Sequence, residues 1–127
     1  MTEKVLKESL HDHGGDLTKL LSSLPDPTDA DKVAALFSHL CDGTRLRILF
    51  LLCHCEECVT DIAAAVGMST PAVSHHLRVL KNAGLIVSRR DGKEALYTLA
   101  DTEEARLVHE MIDSVFRIKC PKKQKKD

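Results

Sequence analysis

Thr60-Asp-Ile-Ala-Ala-Ala-Val-Gly67, Met68-Ser-Thr-Pro71 and Ala72-Val-Ser-His-His-Leu-Arg-Val-Leu-Lys-Asn-Ala-Gly84 follow one another through the middle of the chain. They read as a helix, a sharp turn and a second helix. Gly67 is placed to take the left-handed conformation in which helices commonly end. Ser69 or Thr70 is the expected N-cap of the second helix. Pro71 falls in its first turn, where a missing N–H costs nothing. Gly84 closes it. Two helices joined by so short a turn match the helix-turn-helix, whose second helix enters the DNA major groove.

The second helix has two faces. Val73, Leu77 and Leu80 fall at i, i+4 and i+7, a stripe for burial. Ser69, Thr70, Ser74, His75, Arg78 and Lys81 lie around the other face. Their hydroxyls, imidazole and cations suit base edges and phosphates. An ordinary amphipathic helix has the same pattern, so the next segment decides. Leu85-Ile-Val-Ser-Arg-Arg90 and Lys93-Glu-Ala-Leu-Tyr-Thr-Leu99 flank Asp91-Gly92, a strong hairpin signal. Arg89, Arg90 and Lys93 are expected near its tip, placed to touch phosphates or a minor groove. A basic hairpin directly after a reading helix is a wing. The expected fold class is mainly α with a small β-hairpin, a winged helix-turn-helix.

Toward the N-terminus, Gly43-Thr44 opens a helix, Arg45-Leu-Arg-Ile-Leu-Phe-Leu-Leu52, apolar enough to be central to the core. Before it, Thr28 or Asp29 is the expected cap of a helix whose core stripe is Val33, Leu36, Phe37 and Leu40. Leu17, Leu20, Leu21 and Leu24 predict a short helix stopped by Pro25 and Pro27. Residues 3–10 predict another. After the wing, Asp101 or Thr102 caps a final helix. Its stripe of Leu107, Val108, Met111, Ile112, Val115 and Ile118 is wider than packing on one domain needs, and is read as a homodimer interface between terminal helices. The organisation expected is an N-terminal arm over 1–28, a DNA-binding and dimerisation domain over 29–118, and a basic tail over 119–127.

The chain has 127 residues and a formal charge of −1, so no global basic signature accompanies the reading helix. The charge is segregated instead. Cations gather over 75–93, and acids over 26–31, 56–61 and 101–113. No apolar run approaches a membrane span and no signal peptide opens the sequence. Five cysteines, an odd number, favour reduced thiols in the cytoplasm over a disulfide framework. No P-loop, dinucleotide fingerprint or local catalytic motif supports an enzyme.

Four stretches, Asp42-Gly-Thr-Arg-Leu-Arg-Ile-Leu49, Cys58-Val-Thr-Asp-Ile-Ala63, Ser74-His-His-Leu-Arg-Val-Leu80 and Gly92-Lys-Glu-Ala-Leu-Tyr-Thr-Leu-Ala-Asp101, resemble the ArsR/SmtB family of metal-responsive repressors in order and spacing. The resemblance covers roughly residues 30–118. It implies a homodimer that binds double-stranded operator DNA and releases it when a metal ion binds. By position it implies that Thr70, Ser74 and His75 approach the bases. Pro71 stands where the family often has a small polar residue.

Cys53-His-Cys-Glu-Glu-Cys58 is the sharpest chemical feature. Thiolates bind soft or borderline ions, and Cys55 and Cys58 have the C-x-x-C spacing that lets one ion bridge both. One sensor class of the family places cysteines at the start of this same helix. Cys58 matches the first of them, and Thr60 stands at the second. That class completes its site from the partner's N-terminal arm. Here the arm has no cysteine, but it has His11 and His13. The expected site joins Cys55, Cys58 and Cys53 to His11 or His13 across subunits. Mixed sulfur and nitrogen ligands suit zinc or cadmium; thiolates alone suit trivalent arsenic, cadmium or lead.

Other readings stand beside this one. A lone cysteine is ordinarily a small core residue, and Cys41 is read that way. His54 is read as facing solvent, His75 and His76 as serving DNA and packing, and His109 with Asp113 as a surface polar pair. The family's second metal site falls on Asp101, Glu103, Ser114 and Arg117, which cannot form it. An alternative on the same fold is a sensor of sulfur species or oxidants that joins Cys53 to Cys120, for which the Cα atoms must lie within about 7 Å. A third is a DNA-free adaptor, against which the cationic reading face argues.

Overall fold

The computed structural model describes residues 11, 13 and 16–117. The chain forms two compact units, 1–34 and 35–127. In the first, α1 (Leu17–Leu20) runs into a 3-10 turn, Leu21–Ser23. The leucine repeat is exposed at Leu17, Leu20 and Leu24. The helix expected over 3–10 lies outside the described residues.

Helix α2 (Pro27–Leu40) starts one turn earlier than expected. The cap is Asp26, whose Oδ1 accepts the Asp29 N–H at 2.9 Å. Pro27 follows it, at a position where its fixed φ suits helix entry. The expected core stripe is only half realised. Leu40 is buried and Leu36 packs on the core, whereas Val33 and Phe37 are each 51% exposed. The C-terminal end of α2 contributes to the core, through Leu36 and Leu40.

Helix α3 (Gly43–His54) is the centre of the second unit. Asp42 caps it, accepting the Arg45 N–H at 3.0 Å. Ile48, Leu49 and Leu52 are almost completely buried. Around them lie Ile62, Ala63 and Val66 of α4 (Val59–Val66), and Val73, Leu77 and Leu80 of α5 (Thr70–Asn82). Leu85 and Ile86 at the start of the wing also join, as do Val108 and Ile112 of α6 (Glu103–Val115). Each large apolar side chain so buried contributes about 1.5–3 kcal/mol.

The turn between α4 and α5 is built as the sequence predicts. Gly67 has φ +70 and its N–H reaches the carbonyls of Ala63 and Ala64. Ser69 caps α5, its hydroxyl accepting the Ala72 N–H at 3.3 Å. Thr102, rather than Asp101, caps α6 by accepting the Ala105 N–H at 3.1 Å.

The wing consists of β2 (Ile86–Asp91) and β3 (Glu94–Leu99), antiparallel, from Ile86 opposite Leu99 to Asp91 opposite Glu94. The turn is therefore Gly92-Lys93, one residue later than the Asp-Gly signal placed it. Gly92 has φ +63 and Lys93 does not have positive φ, the pattern of a type II′ turn. A third strand, β1 (Glu57–Cys58), pairs with β3 through Glu57–Tyr97 and Cys58–Leu96, giving the order β1-β3-β2. At two residues, β1 is too short to show an alternating pattern. Among the described residues no helix is long and apolar enough to cross a membrane.

Candidate DNA interface and metal-binding residues

Helix α5 owes its position to its apolar face. With Val73, Leu77 and Leu80 locked in the core, Thr70, His75, Arg78 and Lys81 are turned outward and exposed. Ser69 is also exposed, while Ser74 is half-buried. The two histidines divide. His75 is on the surface, and His76 accepts a hydrogen bond from Arg45 Nε at 3.2 Å, tying α5 to α3. Arg47 donates to the Val66 carbonyl at 3.1 Å, which satisfies an acceptor at the end of α4. Both helices of the reader are thus pinned to α3 by polar contacts as well as by the core.

The wing is braced in two places. Lys81 donates from Nζ to the Ser88 hydroxyl at 2.7 Å, joining the end of α5 to β2. Arg89 points away from the tip. It donates from Nε and Nη2 to both carboxylate oxygens of Glu56, at 2.8 and 2.6 Å. Arg90 donates to the Lys93 carbonyl at 3.2 Å, so these two residues form the exposed basic tip.

The three neighbouring thiols occupy three different local settings. Cys53, on α3, is half-buried and packs on the core. Cys55 follows the end of α3 and is exposed; its thiol donates to the Leu51 carbonyl at 3.1 Å. Partial desolvation, and then the charge of Glu57, push its pKa up. A thiol held protonated must release that proton to bind a metal. Cys55, Glu57 and Asp61 help line a cavity of about 360 Å³. Cys58 is buried in β1, directly before α4. These sulfurs do not converge with a third donor. Among the described residues, the one group of three His, Cys, Asp or Glu side chains with ligand atoms within 4.8 Å of one another is His54, His109 and Asp113.

Several expectations are corrected here. Cys41 is exposed rather than a core residue. His54 does not face solvent: its ring is half-buried, with Nε2 3.2 Å from Asp113 Oδ1. His109 and Asp113 are therefore more than a surface pair. Their i, i+4 spacing on α6 was visible in the sequence, but the approach of α3 that brings His54 to them was not. In the first unit, His11 and His13 are exposed, with rings stacked 5.8 Å apart. Cys120 lies outside the described residues. Asp101, Glu103, Ser114 and Arg117 are all exposed.

Residues 42–88, from the cap of α3 into the wing, match the family model "Bacterial regulatory protein, arsR family". The chain is 42% identical over 100 residues to the HTH-type transcriptional regulator NmtR of Mycobacterium tuberculosis, covering 79% of this chain and 83% of that protein. It is 43% identical over 77 residues to a cadmium resistance transcriptional regulatory protein CadC homologue of Staphylococcus aureus, covering 60% of this chain and 64% of the relative. Among solved structures, the homodimeric winged helix-turn-helix DNA-binding domain Mb0332 of Mycobacterium bovis superposes with a TM-score of 0.62 at 36% identity, over 74% of this chain and 88% of that one. The chain belongs to the arsR family of bacterial regulatory proteins, which are winged helix-turn-helix transcription regulators and not enzymes.

Proposed function

We propose that this protein is a homodimeric transcriptional repressor that releases its operator when a soft or borderline metal ion binds at a thiolate-containing site. The observation that carries the DNA half is the division of α5. Its apolar face is sealed in the core, and Thr70, His75, Arg78 and Lys81 stand outward beside a wing tipped by Arg90 and Lys93. The homodimeric relative supports two such reading heads, which must meet successive major grooves about 34 Å apart.

The metal half rests on Cys55 and Cys58, with Cys53 beside them, at the junction that leads from α3 into the reader. Cys55, Glu57 and Asp61 offer sulfur and oxygen donors around one cavity. Thiolates joined by nitrogen or oxygen donors suit cadmium, zinc or lead, and a site of thiolates alone suits arsenite. The similarity to a cadmium resistance regulator favours cadmium among them. A ligand acts only through its different affinity for the DNA-competent and DNA-incompetent states. An ion drawing Cys55 toward Cys58 would reshape the segment that carries Glu56, and with it the brace on the wing.

Titration of the reduced protein with cadmium, following thiolate charge-transfer absorption and operator release together, tests this reading. Stoichiometric absorption coupled to release supports it. Full metal response in a Cys55→Ser/Cys58→Ser variant shows the site to be elsewhere. The same titration of a His11→Ala/His13→Ala variant reports whether the arm supplies ligands.

A further inference from the structure

His54 is the last residue of α3, and His109 and Asp113 lie one turn apart on α6. The packing of α3 against α6 brings the three together. His54 Nε2 is 3.2 Å from Asp113 Oδ1, and His109 Nε2 is 3.2 Å from Asp113 Oδ2. The two imidazoles meet edge to face at 5.4 Å. Phe50 stacks obliquely on His54 and is itself covered by Phe116, so one side of the cluster is apolar.

The hydrogen bonding at His54 fixes what faces the cluster. Its Nδ1 is 2.7 Å from the Phe50 carbonyl oxygen, which can only accept. Nδ1 therefore carries the hydrogen, and in the neutral ring Nε2 presents a bare lone pair. Opposite it stands a carboxylate oxygen, another acceptor. His54 Nε2, His109 Nε2 and Asp113 Oδ1 are all buried atoms without a hydrogen-bond partner. They lie at ion-pair distance, but not in hydrogen-bond alignment. Facing lone pairs at such a distance call for a cation between them, either a ring proton or a metal ion.

The spacing fits a metal. A tetrahedral ion with bonds of about 2.0 Å sets its ligand atoms about 3.3 Å apart. Each ring nitrogen lies near that edge from its own oxygen of the Asp113 carboxylate, and one ligand atom from each of the three residues falls within 4.8 Å of the others, so small side-chain shifts bring them onto one ion. A ligating histidine ordinarily donates its other ring N–H to a carbonyl or carboxylate, as His54 does to Phe50. Two imidazoles and a carboxylate, with no sulfur, suit zinc, cobalt or nickel and leave a fourth position for water.

We propose that His54, His109 and Asp113 form a second cation site, of the zinc, cobalt or nickel class, within one chain and distinct from the sulfur run. It joins the end of α3 to α6, immediately before the segment bearing Cys55 and Glu56. The site goes beyond the repressor reading and does not depend on operator release.

The test is zinc titration of the reduced full-length protein, observed through the imidazole nitrogen resonances by NMR. Zinc is expected to shift Nε2 of His54 and His109, and to do so equally in the Cys55→Ser/Cys58→Ser variant. His109→Gln and Asp113→Asn, each checked for an unchanged circular dichroism spectrum, should lower cobalt affinity at the nitrogen–oxygen site at least about tenfold, by analogy with outer-shell losses of 10–100-fold. Resonances that do not move with zinc would mean that a ring proton alone fills the cluster, and would overturn the proposal. Unchanged cobalt affinity in folded variants would do the same. Failure to bind any operator would instead count against the repressor reading and leave these shifts in place.

Discussion

Arg89 grips Glu56 through both carboxylate oxygens, at 2.8 and 2.6 Å, and so ties the wing to the segment between α3 and β1. Glu56 sits between Cys55 and Glu57, next to the sulfur donors. The Arg89 guanidinium is therefore occupied by an acid rather than turned to a phosphate. Glu56→Ala is expected to release it. Operator affinity of the metal-free protein should rise, and the slope of log affinity against log salt should steepen by about 0.9 for one added phosphate contact. An unchanged slope would place Arg89 outside the reach of DNA.

Arg78 is exposed on the outward face of α5, two turns from its start. Arg78→Ala should weaken operator binding and, if the lost contact is a phosphate, lower the salt slope by about one. Metal stoichiometry should be unaffected. Fluorescence anisotropy at several salt concentrations, with metal titration in parallel, checks both. The same affinity in variant and parent would remove Arg78 from the interface.

The stripe on α6 divides into a buried half and an exposed half. Val108 and Ile112 are buried in the chain's own core, whereas Leu107 is 58% and Val115 70% exposed. Ile112→Ala should destabilise the fold by about 2–5 kcal/mol, as large-to-small core changes do. Leu107→Glu should leave the monomer fold intact but shift sedimentation toward the monomer. Dimerisation unaffected by Leu107→Glu would argue that the second copy docks elsewhere.

How far the sequence discloses this architecture depends on the range of the interactions involved. The reader and wing were legible because their signals are local: the glycine at 67, the serine cap at 69, the i, i+4, i+7 stripe and the turn glycine at 92. Strand β1 was not, because two residues show no period and its pairing partner lies across the wing at Leu96 and Tyr97. Val33 and Phe37 have the spacing of core residues but remain exposed, since periodicity gives a face and not what covers it. The same limit hid the cation cluster. His109 and Asp113 are neighbours on one helix, but His54 reaches them only because α3 packs against α6. The cysteine run was conspicuous for its composition, and its sulfurs turn out to be distributed over a helix, a helix end and a strand.

Asp42 provides the pH prediction. Its pKa is lowered chiefly by the hydrogen bond from the Arg45 N–H; desolvation opposes this, and the charge of His76, the Thr44 N–H and the charge of Arg45 add smaller lowering effects. A carboxylate with a depressed folded-state pKa contributes stability that is fully present above its unfolded value, and that is lost as pH falls through the folded value. The window therefore lies below about pH 4, the ordinary range for an aspartate. Asp42→Asn keeps a side-chain oxygen for the cap but removes the charge. Its melting temperature should lie below that of the parent by a constant amount at neutral and mildly acidic pH. The difference should close as pH falls through the ordinary aspartate value and below it. Thermal melts at stepped pH, monitored by helix circular dichroism, measure this directly, and a gap that persisted to the lowest pH would show that the charge on Asp42 contributes nothing to the start of α3.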